Sequence, residues 1–129
     1  MNIHSSSIID PGAELGAGVS VGPFSIIGPH VQIGQKTVIG SHALIEANTV
    51  IGEGCKIFHG ASIGGEPQIM GFEDVSSSVE IGDGTVIREY ATIHRSGYKD
   101  GVTRIGKNCL LMAYSHLGHD CEIGDQVVI

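Results

Sequence analysis

Ile33-Gly34-Gln35-Lys36-Thr37-Val38-Ile39-Gly40-Ser41-His42-Ala43-Leu44-Ile45 is the stretch that decides the fold. An aliphatic residue recurs every six positions, glycine follows it, and a small or β-branched residue stands four places after it. Stepping outward by six from Ile33 reaches Ile3 in one direction and Ile129 in the other. Of these 22 positions, 21 are Ile, Leu or Val, and Lys99 is the exception. Glycine follows the aliphatic residue eleven times, and the fourth place holds Ser7, Ala13, Ser25, Thr37, Ala43, Thr49, Ala61, Thr85 and Ala91. A period of six fits no α-helix, which needs apolar residues at three- and four-residue steps. It fits short strands broken by tight corners, with glycine expected to relieve the backbone at the turns.

Three such strands close a triangular coil of about 18 residues, and coils stack at the inter-strand spacing of about 4.8 Å. Each coil is then held by its neighbours rather than by its own contacts. The expectation is an all-β, parallel β-helix built as a single domain over residues 1–129. The aliphatic positions should be buried except near Ile69, Val75 and Lys99.

Composition agrees with a narrow core. The chain carries 20 glycines, 5% aromatics and no tryptophan, against 41% apolar residues. That apolar share argues against disorder. No run of eighteen apolar residues could span a bilayer, and the N-terminal residues lack a signal-peptide pattern. The formal charge is −7. With so negative an overall balance, nucleic acid is not an expected partner.

Two segments interrupt the repeat. Residues 64–80 (GGEPQIMGFEDVSSSVE) keep the phase at Ile69 and Val75 but lose the glycine and small-residue registers, and are expected to leave the prism. Residues 95–104 (RSGYKDGVTR) put Lys99 on an inward position, where burial would be costly, so they too read as a loop. Five of the seven basic residues fall between Arg88 and Lys107, opposed only by Glu89 and Asp100. This window reads either as a positive patch for an anionic partner or as a solvated loop.

Cys55, Cys109 and Cys121 occupy the small fourth position and read as buried hydrophobes. Their odd number fits a reducing compartment. His4, His30, His42 and His59 read as surface or corner residues. The stretch His116-Leu117-Gly118-His119-Asp120 stands apart, with two imidazoles three residues apart across a corner and a carboxylate directly after the second. Histidine moves protons near neutral pH, and a carboxylate can orient its ring.

The hexads resemble the left-handed β-helix acyltransferases, and the resemblance supplies the hand, an exception to the right-handed crossover rule. The segments Ile87-Arg88-Glu89, Thr92-Ile93-His94-Arg95, Asn108-Cys109-Leu110-Leu111-Met112 and His116 to Cys121 resemble the UDP-N-acetylglucosamine acyltransferases that begin lipid A synthesis. The resemblance implies a cytoplasmic enzyme with no cofactor and no metal. It would move a 3-hydroxyacyl chain from acyl carrier protein to the 3-hydroxyl of a UDP-sugar. It implies that His119 is the general base, that Asp120 tunes it, and that His116, Gln68, His94 and Met112 bind substrate. It also implies a homotrimer whose sites lie between neighbouring prisms. Family members commonly carry Asp-Leu-Lys after the loop glutamine, where this chain reads Gln68-Ile69-Met70-Gly71. They run to about twice this length, so the chain is expected to be truncated in mid-coil, with an oxyanion donor and part of the nucleotide site beyond Ile129. An acetyl-coenzyme A-dependent sugar acetyltransferase, a metalloenzyme like the γ-class carbonic anhydrases using His94, His116 and His119, and a non-catalytic scaffold are the alternatives.

Overall fold

The computed structural model describes residues 1–129. Eighteen short strands form three parallel sheets of six, and successive strands in the chain belong to successive sheets. The first face holds Asn2–Ile3, Ser20–Val21, Val38–Ile39, Lys56–Ile57, Val86–Ile87 and Leu110–Leu111. The second holds Ile8–Ile9, Ile26–Ile27, Leu44–Ile45, Ser62–Gly65, Thr92–His94 and His116–Leu117. The third holds Glu14–Leu15, Gln32–Ile33, Thr49–Ile51, Ser78–Ile81, Val102–Ile105 and Glu122–Ile123.

In each two-residue strand the second residue points inward, which turns the six-residue period into a column of aliphatic side chains. Ile27, Ile39, Ile45, Ile51, Ile57, Ile63, Ile87 and Ile93 are fully buried in it. Ile3 remains 37% exposed because the first coil has a neighbour on one side only. Cys55 and Cys109, on the small fourth position, are buried beside this column, and burial pushes the Cys55 thiol up, despite hydrogen bonds that pull the other way. An un-ionised buried thiol is a packing group rather than a nucleophile.

The small fourth position does more than fit a tight space. The hydroxyl of Ser25 donates to Gly40 O at 2.7 Å and accepts the Ala43 N–H at 3.1 Å. Thr37 makes the same pair of bonds with Gly52 O and the Cys55 N–H, and Thr85 with Gly106 O and the Cys109 N–H. These hydroxyls satisfy corner backbone groups that the short strands leave over. Thr49 has no hydrogen-bond partner, because the first excursion replaces the corner that would have supplied one.

The role expected of the glycines needs correcting. Positive φ falls three places after the aliphatic residue, mostly at non-glycine residues such as His42 (φ 52), Asn48 (φ 63), Tyr90 (φ 58) and Asp120 (φ 64). The glycine directly after the aliphatic residue is needed for close contact between coils. A Cβ on Gly34 would lie 2.6 Å from the carbonyl carbon of Gly52, and one on Gly82 the same distance from that of Gly106.

Register shows where the chain leaves the prism. Ser20 pairs with Val38, 18 residues on, but Lys56 pairs with Val86, 30 on, and Val86 with Leu110, 24 on. The two longer coils therefore carry twelve and six extra residues, which depart from the corner between the second and third faces. Both lengths are multiples of six, so the sequence phase survives across them. Ile69 and Lys99 are nonetheless exposed and Val75 half-buried.

Candidate active site

The two excursions rise from the same corner in consecutive coils, so stacking sets them side by side and over the next corner, His119-Asp120. A small cleft of about 110 Å³ lies there, lined by Gln68 from the first loop, His94 and His116 from the second face, and Gly118 and His119 from the corner. Five of the six residues expected at the site come together around this hollow, counting Asp120 behind His119. Met112 does not join them. It lies 54% exposed at the corner between the first and second faces.

Each histidine is fixed by a separate partner. His94 Nδ1 lies 2.7 Å from Glu66 O, and a carbonyl only accepts, so Nδ1 carries the hydrogen and Nε2 is left for a ligand. His116 Nδ1 is 2.8 Å from Thr92 Oγ1, and its ring meets His94 edge to face at 5.1 Å. His119 Nδ1 is 2.9 Å from Asp120 Oδ2. The left-handed backbone at Asp120 turns its side chain back to the preceding residue, which lets sequence neighbours pair.

Asp120 is heavily solvated by the protein itself. Burial pushes its pKa up, but hydrogen bonds from the Ser96 hydroxyl, His119 and the Gly97 N–H outweigh this and hold the carboxyl below its ordinary value. The carboxylate is ionised near neutral pH, so His119 Nδ1 is the donor of their bond. Its Nε2 is then the unprotonated nitrogen of the neutral ring, the state a general base requires. Ser96 and Gly97 were not legible as site residues. The only local signal is Ser-Gly directly after His94-Arg95, and nothing in that pair points to a corner 24 residues away.

Local ion pairs account for most of the basic window. Arg88 pairs with Glu89 at 2.8 Å, Arg95 with Asp74 at 2.7 Å, and Arg104 with Glu80 at 3.0 Å. Three of the five cations are thus neutralised locally, and the window is not an open basic patch. Arg95 is the most embedded, and also donates to Val75 O at 2.7 Å and Ser77 Oγ at 2.9 Å. It ties the return limb of the first loop to the start of the second.

Two larger hollows flank the cleft. One of about 490 Å³ runs between the loops past Ile69, Phe72 and Tyr98 and touches His119. The other, of about 470 Å³, lies under the first loop, where Glu46, Glu66, Asp74 and Arg95 face it, away from the histidines. No three His, Cys, Asp or Glu side chains of the chain are arranged to hold a metal ion.

Comparison with known proteins adds identity to this geometry. The family described as "Bacterial transferase hexapeptide (six repeats)" matches residues 103–129. An acyl-[acyl-carrier-protein]–UDP-N-acetylglucosamine O-acyltransferase of Sulfurihydrogenibium sp. is 60% identical over 124 residues, covering 95% of this chain and 46% of the relative. The crystal structure of the Francisella novicida UDP-N-acetylglucosamine acyltransferase superposes with a TM-score of 0.92 at 43% identity, over 95% of this chain and 45% of that one. The LpxA structure from Acinetobacter baumannii superposes with a TM-score of 0.94 at 39% identity, over 98% of this chain and 49% of that one. The chain spans about half the length of the curated relatives it matches. Along its own length it is related to these acyltransferases, and its fold is the left-handed β-helix.

Proposed function

We propose that this chain, as a relative of the UDP-N-acetylglucosamine O-acyltransferases, carries the proton-transfer part of a site that acylates a UDP-sugar from acyl carrier protein, the first step of lipid A synthesis. The observation that carries the reading is the His119–Asp120 pair. Nδ1–H is committed to an ionised carboxylate, and Nε2 is free beside a polar cleft holding Gln68, His94 and His116. His119 Nε2 takes the proton of the sugar 3-hydroxyl as its oxygen attacks the thioester carbonyl of the 3-hydroxyacyl donor. The tetrahedral intermediate then expels the thiol of the carrier protein, which leaves with the proton returned by His119. Asp120 supports the imidazolium formed between these steps. His116, held by Thr92, and His94, held by Glu66 O, offer polar contacts to the acceptor, and Gln68 closes the cleft from the first loop. Met112 is left outside this reading.

The reading entails a cytoplasmic location and a homotrimer in which neighbouring prisms complete the site. No helix is long and apolar enough to cross a membrane. Light scattering that finds three times the 13.4 kDa mass supports the trimer, and a concentration-independent monomer removes it.

Activity is tested in a chimera joining residues 1–129 to the part of the Sulfurihydrogenibium relative with which they do not align. Acyl transfer to UDP-N-acetylglucosamine is expected, and His119→Ala should slow it by about 10²–10⁴. Substrate affinity should change much less, because the proton is shared only in the transition state. A His119→Ala chimera with unchanged turnover refutes the role, and transfer of acetyl groups from coenzyme A in place of carrier-bound chains favours the acetyltransferase reading.

A further inference from the structure

The second loop does not present charge to solvent at its first turn; it folds under and grips Asp120. Ser96 is fully buried, and its hydroxyl donates to Asp120 Oδ1. The next residue's backbone N–H donates to Oδ2 at 3.0 Å. Ser96 Oγ also accepts the Tyr98 N–H at 3.0 Å, which leaves its single hydrogen for the carboxylate. The direction of the network is therefore fixed at every link. Tyr98 N–H donates to Ser96, Ser96 O–H to Asp120, and His119 Nδ1–H to the other carboxylate oxygen, so that of the two neutral tautomers the network selects the one with Nε2 bare.

Ser96 is itself held hard. Its carbonyl accepts the buried Ser77 hydroxyl at 2.6 Å, and Ser77 is in turn bonded by Arg95. A side chain at Gly101 would run into Ser96 Oγ, so glycine there keeps the turn closed over it. On the outer side Ile69 packs over Gly97, where a Cβ would sit 2.6 Å from Ile69 Cδ1 and 3.7 Å from Asp120 Oδ2.

We propose that Ser96 is a positioning residue that acts through Asp120 to set the tautomer and aim of His119. The left-handed backbone at Asp120 lets its carboxylate face back to the preceding histidine but does not hold it there, since the side chain can still rotate into solvent. Two donors from a loop anchored elsewhere remove that freedom, and with it the alternative in which His119 carries its hydrogen on Nε2. Asp120 without Ser96 keeps one oxygen bound by Gly97, but the other oxygen and the Tyr98 N–H lose their partner. The inference that this matters for catalysis rests on His119 being the base; the inference about the tautomer does not.

The tautomer is therefore measured directly, by ¹⁵N–¹H correlation of the imidazole nitrogens in the uniformly labelled 129-residue chain. In the wild-type chain His119 is expected as the Nδ1–H form. Ser96→Ala should shift it to a mixture of tautomers, with the signals of His94 and His116 unmoved and the backbone amide spectrum retained outside the loop. Adding Ser96→Ala to Asp120→Asn should change His119 no further than Asp120→Asn alone. Ser96→Cys, which keeps a weaker donor at similar volume, should lie between wild type and alanine, and it carries the test if the alanine chain fails to fold. An unchanged Nδ1–H tautomer in a folded Ser96→Ala or Ser96→Cys chain overturns the proposal. So does a further change in the Asp120→Asn background. In the active chimera Ser96→Ala should lower kcat about tenfold with KM unchanged. A tautomer shift with no change in kcat would retain the positioning role and remove His119 as the base.

Discussion

Replacing Gly34 by alanine separates two reasons for a glycine in this repeat. The added Cβ would lie 2.6 Å from Gly52 C, and 2.7 Å from both Gly52 O and Glu53 N, all of them backbone atoms. None of these can swing aside, because the adjacent strands are paired from Gln32↔Val50 to Ile33↔Ile51. Relief requires the two coils to part, which stretches that ladder and loosens the aliphatic column inside it. Overpacking of this kind costs about 1–3 kcal/mol. At this chain length that lowers Tm by roughly 3–5 °C per kcal/mol. Gly54 is the contrast. Its φ is +62 and nothing lies within 4 Å of a Cβ, so alanine there meets only the left-handed penalty of about 1–2 kcal/mol. Thermal unfolding followed by circular dichroism should show both variants melting below wild type, Gly34→Ala through contact between coils and Gly54→Ala through backbone conformation alone. If Gly34→Ala melts with wild type, close approach between coils is not why that glycine is there.

The remaining predictions concern the site and its loops. Asp120 has a folded-state pKa below its unfolded value, so its contribution to stability is complete above the ordinary aspartate pKa and fades as pH falls through the depressed one. Urea midpoints measured down through the acid range should fall less steeply for Asp120→Asn than for wild type, and identical slopes would deny the carboxylate this role. Arg95→Ala removes the bonds to Asp74, Val75 O and Ser77 and should free the first loop. Limited proteolysis should then cut between Gln68 and Asp74 much faster than in wild type while the prism keeps its Tm. Equal cutting rates would mean that other contacts hold the loop.

Much of the fold was legible because the six-residue pattern is a local statement. Which residue of Ile26-Ile27 or Val38-Ile39 points inward follows from the phase alone, and the cores of those strands are buried accordingly. The same locality misleads at the excursions. Ile69 and Val75 sit on phase without joining the core column, since inserts of twelve and six residues leave a period of six intact. His116, His119 and Asp120 could be singled out because they lie within five residues, on one strand and the corner that follows it. Met112 belongs to the preceding corner and faces another side of the prism.

The sequence by itself determined that the chain is a three-faced parallel coil, which side chains fill it, and where it is interrupted. A period that short is written in every hexad, and backbone pairing between coils follows from it. Only the tertiary structure decided what stands above what. Every coil in a repeat offers nearly the same pairing to its neighbours, so the sequence does not say that Ser96 closes on Asp120 or that Gln68 faces His119. Those contacts depend on how far each loop carries the chain before the prism resumes, and stacking then brings together side chains 24 and 51 residues apart along the chain.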